Sequence, residues 1–505
     1  MIMIVERSSD WQEGFINRLE NQEKWHSWTL YKMNYEIVKM NLIPEFTGLQ
    51  APKVLPKLTP LAHQLEAAQT VIERMNGKAI LADEVGLGKT IEAGLILKEY
   101  MIRGLVKKAL ILAPASLINQ WIEELNQKFH IPAVAYKKNC PIERYDIVIM
   151  SMDTAKKSPH KELIYAQNYD MIIIDEAHKL KNHKTQIYEF VQGLKKKFCL
   201  LLTATPIQND VFELYYLISL LKPGHLGNYE TFQSAFSASK HDLQHDDYLK
   251  ELVNQVMVRN RREDTGIEWT NRRVQIVPIH FSPEEMEVYH LLGSLTSTGS
   301  FSLITLQKEM CSSKEATALT LSKMLENSSE RDELEAILAK VMALEVNSKA
   351  EKTLEIIEQA AKDKVIIFTE YRATQIYLQW YLHSHGITSV LFNGKFNKNK
   401  RDYMKHIFKE KAQVLIATEA GGEGINLQFC HHVINYDLPW NPMKLEQRIG
   451  RVHRLGQEHD VHIYNLAVED TIEKDILALL HTKIDVFEKV VGDLDAILTN
   501  FKKSV

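Results

Sequence analysis

The sequence predicts an α/β protein of two successive lobes, each a parallel sheet covered by helices, with a helical insertion between them. Three observations predict it. Short apolar runs recur, separated by polar turns and stretches of helical periodicity. The pattern stops near residue 281 and returns after residue 360. The stretch between is rich in Leu, Glu, Lys, Met and Ala, as in LQKEMCSSKEATALTLSKMLEN.

In the first half the strand-like runs are KAILA (78–82), KALILA (108–113), DIVIM (146–150), MIII (171–174) and FCLLLT (198–203). They are apolar at successive positions, as strands covered by helices on both faces require. Between two of them, Leu117, Trp121 and Leu125 recur every four residues while Glu123 and Glu124 point elsewhere, which marks an amphipathic helix. The second series is KVIIFT (364–369), SVLF (389–392), VLIA (414–417), HVINY (432–436) and VHIYNL (461–466). The boundaries that follow are an N-terminal accessory element at 1–56, a first lobe at 57–262, a helical insertion at 263–345, a second lobe at 346–490 and a tail at 491–505. Trp11, Trp25, Trp28, Tyr31 and Tyr35 of the accessory element read as packing residues rather than a base-stacking platform.

A chain of 505 residues is too long for one ordinary core, and 45% hydrophobic with 25% charged residues is a globular composition. With 61 Lys and Arg against 65 Asp and Glu, the net charge of -4 gives no overall pull toward phosphate backbones. A nucleic-acid site must then be a local basic surface. Cys140, Cys199, Cys311 and Cys430 stand far apart, outside any zinc-type spacing, and read as reduced core thiols. The opening MIMIVERSSDW meets charge at Glu6 and Arg7 before a signal-peptide core, and no apolar run nears the ~20 residues that span a bilayer, so a cytoplasmic protein is expected.

DEVGLGKT (83–90) follows a predicted strand and opens a helix carrying Ile91, Leu95 and Ile102, the context of a phosphate-binding loop. Gly86 and Gly88 let the backbone turn tightly around phosphate oxygens with amide N–H groups inward, reinforced by the positive end of the helix dipole. Lys89 is expected to reach the β- and γ-phosphates and Thr90 to ligate Mg²⁺. A strict GxxxxGK[ST] pattern would place glycine at 83, where Asp83 stands. MIIIDEAH (171–178) sets two carboxylates just beyond a buried strand. In a parallel sheet the ligand crevice lies at the carboxyl ends of the strands, so both segments point to one site. Asp175 would hold Mg²⁺, and Glu176 would orient and deprotonate the attacking water.

TPLAHQ (59–64), ADEVGLGKT (82–90), ILAPASLINQW (111–121), DEAH (175–178), LTATPIQN (202–209), ATEAGGEGINL (417–427), YDLPWNP (436–442) and QRIGRVHRLGQ (447–457) follow one another in the chain. This series resembles the SWI/SNF-type ATPases of helicase superfamily 2 over roughly residues 57–490. DExGLGKT is that family's own form of the loop. DEVGLGKTIEAG is similar to the bacterial branch that includes the RNA-polymerase-recycling ATPase.

The resemblance implies two tandem RecA-like P-loop lobes that hydrolyse ATP with Mg²⁺ at their cleft, and movement along double-stranded DNA. A DNA-bound protein such as RNA polymerase is the implied partner. Residue by residue, it implies that Gln64 reads adenine and that the loop from Gly86 through Leu87, Gly88, Lys89 and Thr90 binds nucleotide. Thr203 and Thr205 would couple the γ-phosphate to the DNA-facing surface, and Gly422, Gly424 and Asn426 would line the inter-lobe cleft. Arg451 and Arg454 would stabilise charge on the transferring phosphoryl group. Pro114, Ser116, Ser151 and Thr369 would meet nucleic-acid phosphates. Arg259, Arg261 and Arg262, and Lys395, Lys398, Lys400 and Arg401, are candidates to add charge there, each cluster also readable as a solvated face. A strand-separating DNA or RNA helicase is the alternative within the class, and a DNA clamp without catalysis the alternative outside it. No segment resembles a histone reader, so a chromatin role is not expected.

Overall fold

The computed structural model describes residues 14, 16–18, 20–21, 27–41, 48–136, 141–207, 211–237, 243–295, 300–327, 331–394, 396, 398–419 and 426–480. Trp11, Trp25, Cys140, Lys395, Gly422, Gly424 and the expected tail at 491–505 lie outside them. The chain divides into two compact units, 1–48 and 49–505. Within the first, the helix Trp28–Asn41 carries Trp28, Tyr31 and Tyr35 exposed along one side. Their rings stack on each other, with centroids 5.1 Å and 6.3 Å apart, and do not fill a core as expected.

The second unit holds both lobes. The first is built on seven strands: β1 (Lys78–Leu81), β2 (Ala109–Ala113), β3 (Ala133–Ala135), β4 (Ile147–Ser151), β5 (Met171–Asp175), β6 (Phe198–Leu202) and β7 (Met257–Val258). Their order is β3-β4-β2-β5-β6-β1-β7 and every pairing is parallel. The second has six: β8 (Arg272–Ile279), β9 (Val365–Thr369), β10 (Ser389–Phe392), β11 (Val414–Thr418), β12 (His432–Asn435) and β13 (Val461–Val468). Their order is β10-β11-β9-β12-β13-β8, again parallel throughout. The central strands β2, β6 and β9 are buried at every position, which is why their sequences are apolar without alternation.

The expected start of the helical insertion at 263 is corrected by β8. Arg272–Ile279 is an edge strand of the second sheet, paired with β13 over its whole length. Its sequence, RRVQIVPI, keeps polar residues at three of its first four positions because most of it is only partly buried, and it contains a proline, which an edge strand tolerates. The helices proper are Pro283–Gly293, Ser300–Ser312, Lys314–Asn327 and Arg331–Ala343. Val288, Leu292, Leu306, Leu334 and Val341 share one apolar cluster with Val365, Ile367 and Ile434, so this segment is part of the second lobe's core. At the other boundary, the Gln50 and Ala51 N–H groups donate to Glu99 in the first lobe, each at 2.6 Å, so the lobe begins before residue 57.

The lobes meet through apolar packing as well as polar groups. Leu438, Met443 and Leu445 of the second join the cluster formed by Ile172, Ile174 and Leu201 of the first.

Candidate functional site

The chain leaves β1 into the glycine loop and enters the helix Lys89–Ile102. Gly86 and Gly88 have φ of 98° and 95°, a region L side chains avoid, and a Cβ on Gly88 would sit 2.5 Å from Gln64 Nε2. Gln64 is buried beneath the loop. Its Nε2 donates to Leu87 O at 2.8 Å, its Oε1 accepts from the Leu61 N–H at 3.0 Å, and His63 Nε2 lies 3.1 Å from Leu87 O. The Lys89 ammonium donates to Asp83 O at 2.6 Å and Glu84 O at 3.3 Å, and so lies along the inner edge of the loop. Thr90 follows on the first turn of the helix.

Asp83, the departure from the strict glycine pattern, has a structural use. Its carboxylate accepts from the Asn260 N–H at 2.9 Å and from Asn260 Nδ2 at 3.0 Å and 3.1 Å, which ties the loop to the segment after β7. Arg262 completes the tie: Nη2 donates to Val85 O, and the guanidinium lies over the Trp269 ring at 5.2 Å. Arg262 is therefore not part of a solvated basic surface, and Arg261 is paired with Asp264 at 2.8 Å.

Asp175 ends β5, beside β6, which separates it from β1. Its Oδ2 accepts from Trp121 Nε1 at 2.9 Å and its Oδ1 from the Glu176 N–H at 2.9 Å. Burial, then the charge of Glu176, push the Asp175 carboxyl up to about 6. Glu176 adopts φ 52°, strained for a residue with a side chain. Burial raises its carboxyl, but His178 Nδ1 at 3.1 Å, then Arg451 and Lys89, outweigh that and hold it down at about 2. A charged carboxylate, a second one that a cation would relieve, and an ammonium thus share one site. Each Asp175 oxygen accepts one bond and keeps lone pairs for a cation, so the residues present fit Mg²⁺. Thr203 and Thr205 are buried beside it, with Thr203 Oγ1 accepting from the Thr205 N–H at 3.0 Å.

The second lobe reaches this site through the segment after the helix Pro442–Ile449. A Cβ on Gly86 would lie 3.5 Å from Arg454 Cγ and 3.6 Å from His453 O, and one on Gly450 would lie 2.3 Å from Val85 Cγ1. The arginine segment thus rests directly on the phosphate loop. Burial, with Arg451 alongside, lowers the Arg454 guanidinium to about 10, so it stays charged at neutral pH. Arg454 Nε donates to Gly450 O at 2.5 Å. Arg272 of β8 steadies the segment: its Nε donates to His453 Nδ1 at 2.6 Å and its Nη1 lies 3.3 Å from Glu446.

Beside the arginine segment, both lobes line a cavity of about 880 Å³. It brings together Pro114, Ser116, Ser151, Asn426, Arg401 and Arg454. Thr369 is not brought there. It is fully buried and its Oγ1 donates to Asp437 Oδ2 at 2.6 Å, so its hydroxyl is used inside the lobe rather than facing a phosphate. Lys400 lies over the Phe396 ring at 4.2 Å. Trp121, Asn260, Arg262 and Arg272 were not singled out by the sequence for these contacts. Only Trp121 carried a signal, as the last residue of ILAPASLINQW.

A phosphate loop, paired carboxylates and an arginine segment brought from a second parallel-sheet lobe define a two-lobed P-loop ATPase. The SNF2-related domain family matches residues 63–369, and the helicase conserved C-terminal domain matches residues 348–456. The chain is 59% identical over 503 residues to "Uncharacterized ATP-dependent helicase YqhH" of Bacillus subtilis (strain 168), covering 97% of this chain and 90% of that protein. It is 28% identical over 487 residues to "RNA polymerase-associated protein RapA" of Actinobacillus pleuropneumoniae serotype 3 (strain JL03), covering 85% of this chain and 50% of that one. The chain thus spans about half the length of that relative. Among solved structures, the Sulfolobus solfataricus SWI2/SNF2 ATPase core in complex with dsDNA is similar at 24% identity and TM-score 0.42, over 89% of this chain and 96% of that one. The chain belongs to the SNF2-related family and is an ATP hydrolase of the helicase-like, SWI/SNF type. Among the described residues no helix is long and apolar enough to cross a membrane.

Proposed function

We propose that this ATPase is a double-stranded DNA translocase that moves along the duplex backbone and displaces bound protein. The observation that carries the reading is the contact of Gly450 and Arg454 with the phosphate loop, because it links closure of the lobes to completion of the catalytic site. In this account Lys89 exchanges its two carbonyl partners for phosphate oxygens, and Gln64 reads the adenine edge. Glu176 orients the attacking water and accepts its proton. Arg451 and Arg454 meet the charge that spreads over the transferring phosphoryl group. Thr90 and Asp175 would hold Mg²⁺, which supplies charge neutralisation at the β- and γ-phosphates. Thr203 and Thr205 relay the state of the site to the inter-lobe surface.

The cavity holding Pro114, Ser116, Ser151 and Arg401 supports a nucleic-acid path beside the catalytic cleft, with the Ser116 and Ser151 hydroxyls and the Arg401 guanidinium as its contacts and Arg454 at its catalytic side. Likeness to proteins described as RNA polymerase-associated makes a polymerase bound to DNA the partner class proposed here. The test is ATP turnover with duplex DNA, single-stranded DNA, RNA and no polymer, side by side. Turnover is expected to be low alone and to rise strongly with the duplex; equal stimulation by single-stranded RNA would overturn the duplex assignment. Duplex affinity should fall steeply with salt and vary little with sequence.

A further inference from the structure

The second sheet carries a side-chain cluster at the end opposite the nucleotide. Asp363 lies two residues before β9, His431 and His432 stand at the start of β12, and His459 lies two residues before β13. These three strands are neighbours in the sheet, so their amino ends bring the residues together, while the ATP site uses the region beyond the carboxyl ends.

His431 Nε2 lies 3.1 Å and His432 Nε2 3.4 Å from the same oxygen, Asp363 Oδ2. Zinc bonds of about 2.0–2.1 Å in tetrahedral geometry place ligand atoms roughly 3.3 Å apart, so these two separations, which also suit hydrogen bonds, match what a zinc ion between the same atoms requires. One ligand atom from each residue lies within 4.8 Å of the other two. The rings of His431 and His432 are 4.7 Å apart, and the His459 ring is 5.0 Å from His431. His432 is 7% exposed, and the Nδ1 atoms of both His431 and His432 are buried with no hydrogen-bond partner among the described residues. A metal held through the two Nε2 atoms leaves these Nδ1 atoms as they are, so it is the convergence of both Nε2 atoms on one carboxylate oxygen that marks the site. The neighbouring cation is already engaged: Arg273 pairs with Asp460 at 2.9 Å and so leaves Asp363 to the histidines.

We propose that Asp363, His431 and His432 bind one divalent transition-metal ion of the zinc type, with His459 or water in the fourth position. Two imidazoles and one carboxylate suit zinc rather than magnesium, which prefers oxygen ligands. The ion clips the amino ends of β9 and β12 together at a distance from the ATP chemistry, so it stabilises the second lobe without entering the reaction.

The experiment uses the untagged full chain, stripped with chelator, desalted and titrated with ZnCl₂ by calorimetry in the absence of nucleotide. One tightly held Zn²⁺ per chain and a melting temperature raised by Zn²⁺ are expected. Asp363→Asn and His431→Gln should each weaken binding by more than about 100-fold, since even groups that only support a ligand change affinity about 10- to 100-fold. Both variants should keep the metal-free melting temperature and DNA-stimulated ATP turnover of the parent. Co²⁺ added to the parent protein should give a visible d–d absorption that Zn²⁺ abolishes, a readout that needs no variant. Absence of that band, no Zn²⁺ binding by the parent, or binding that survives both substitutions would each overturn the site.

Discussion

In the first lobe, the loop after β1 and the carboxyl end of β5 carry the groups proposed to bind nucleotide: the glycine loop, Lys89, and the Asp175–Glu176 pair. In the second lobe, the corresponding ends of β9 and β12 are closed by internal bonds. Thr369 Oγ1 and the Glu370 N–H both donate to Asp437, and Arg448 Nη1 donates to Asp437 O at 2.8 Å and Asn435 Oδ1 at 3.2 Å. The two sheets share their parallel arrangement, so the fold alone does not make a nucleotide site. What differs is the chemistry gathered at the strand ends: an ammonium, two adjacent carboxylates and a glycine loop in the first lobe, and a threonine, an aspartate and a buried arginine bonded to one another in the second. The second lobe instead offers guanidinium groups from the Gly450–Arg454 segment, and in the proposed mechanism hydrolysis depends on bringing the two together.

The contact between the lobes is the point most sensitive to substitution. Gly450→Ala would place a methyl 2.3 Å from Val85 Cγ1 and 2.9 Å from Val85 Cβ, so the segment must back away from the loop. A displacement near 1 Å costs on the order of 10²-fold in rate, and DNA-stimulated turnover should fall by about that much while ATP affinity stays within a few-fold. Adding Val85→Ala should restore much of the loss; an equally slow double variant would mean that the contact is not what the alanine disturbs.

A second substitution probes the first lobe alone. Asp83→Gly would give the loop the strict glycine spacing, yet it removes the acceptor for three hydrogen bonds from Asn260. Leaving those donors unpaired should cost roughly 1–3 kcal/mol, read as a lower unfolding free energy, with turnover reduced as well. An unchanged or stabilised protein would show that the tie to Asn260 carries no energy.

The smallest effect belongs to the second lobe. Glu309 accepts from Thr320 Oγ1 at 2.9 Å, while its Oε2 is buried without a hydrogen-bond partner among the described residues, and burial pushes its carboxyl up to about 7. Because the folded value lies above the unfolded one near 4.5, the group takes up a proton on folding. Its contribution is intact below the unfolded value and is lost as pH rises through about 7. Glu309→Gln should match the parent near pH 4 and be more stable by roughly 1 kcal/mol or more near pH 8, with turnover unchanged. A stability difference that does not vary with pH would exclude the buried carboxylate as its source.

Most of this architecture was legible because burial on both faces leaves a strand no polar positions. β2, β6 and β9 announce themselves for that reason. β8 did not, since an edge strand that is only partly buried keeps polar residues and a proline, and β3 and β7 are too short to show a pattern. At the site, the residues placed in DEVGLGKT, DEAH and QRIGRVHR are those whose chemistry depends on local spacing. Asn260, Arg272 and the Trp121–Asp175 bond depend on partners 177, 181 and 54 residues away, a relation no local pattern records. Thr369 was misplaced for the same reason: only the fold brings Asp437 against its hydroxyl.

In the proposed mechanism Glu176 of one lobe and Arg454 of the other act as a single catalytic unit. A double-mutant cycle on DNA-stimulated turnover, with ATP affinity and melting temperature measured on the same preparations, tests it most directly. Arg454→Lys keeps the charge but loses the planar fork, and should lower turnover by on the order of 10³-fold or more. Glu176→Gln removes the base and should lower it by about 10²- to 10⁴-fold. Residues acting as one unit are not additive, so the double variant should be little slower than the slower single variant, with ATP binding and melting temperature near those of the parent. Rate losses that multiply in the double variant, or an Arg454→Lys protein of near-normal turnover and lowered melting temperature, would contradict catalysis shared across the cleft.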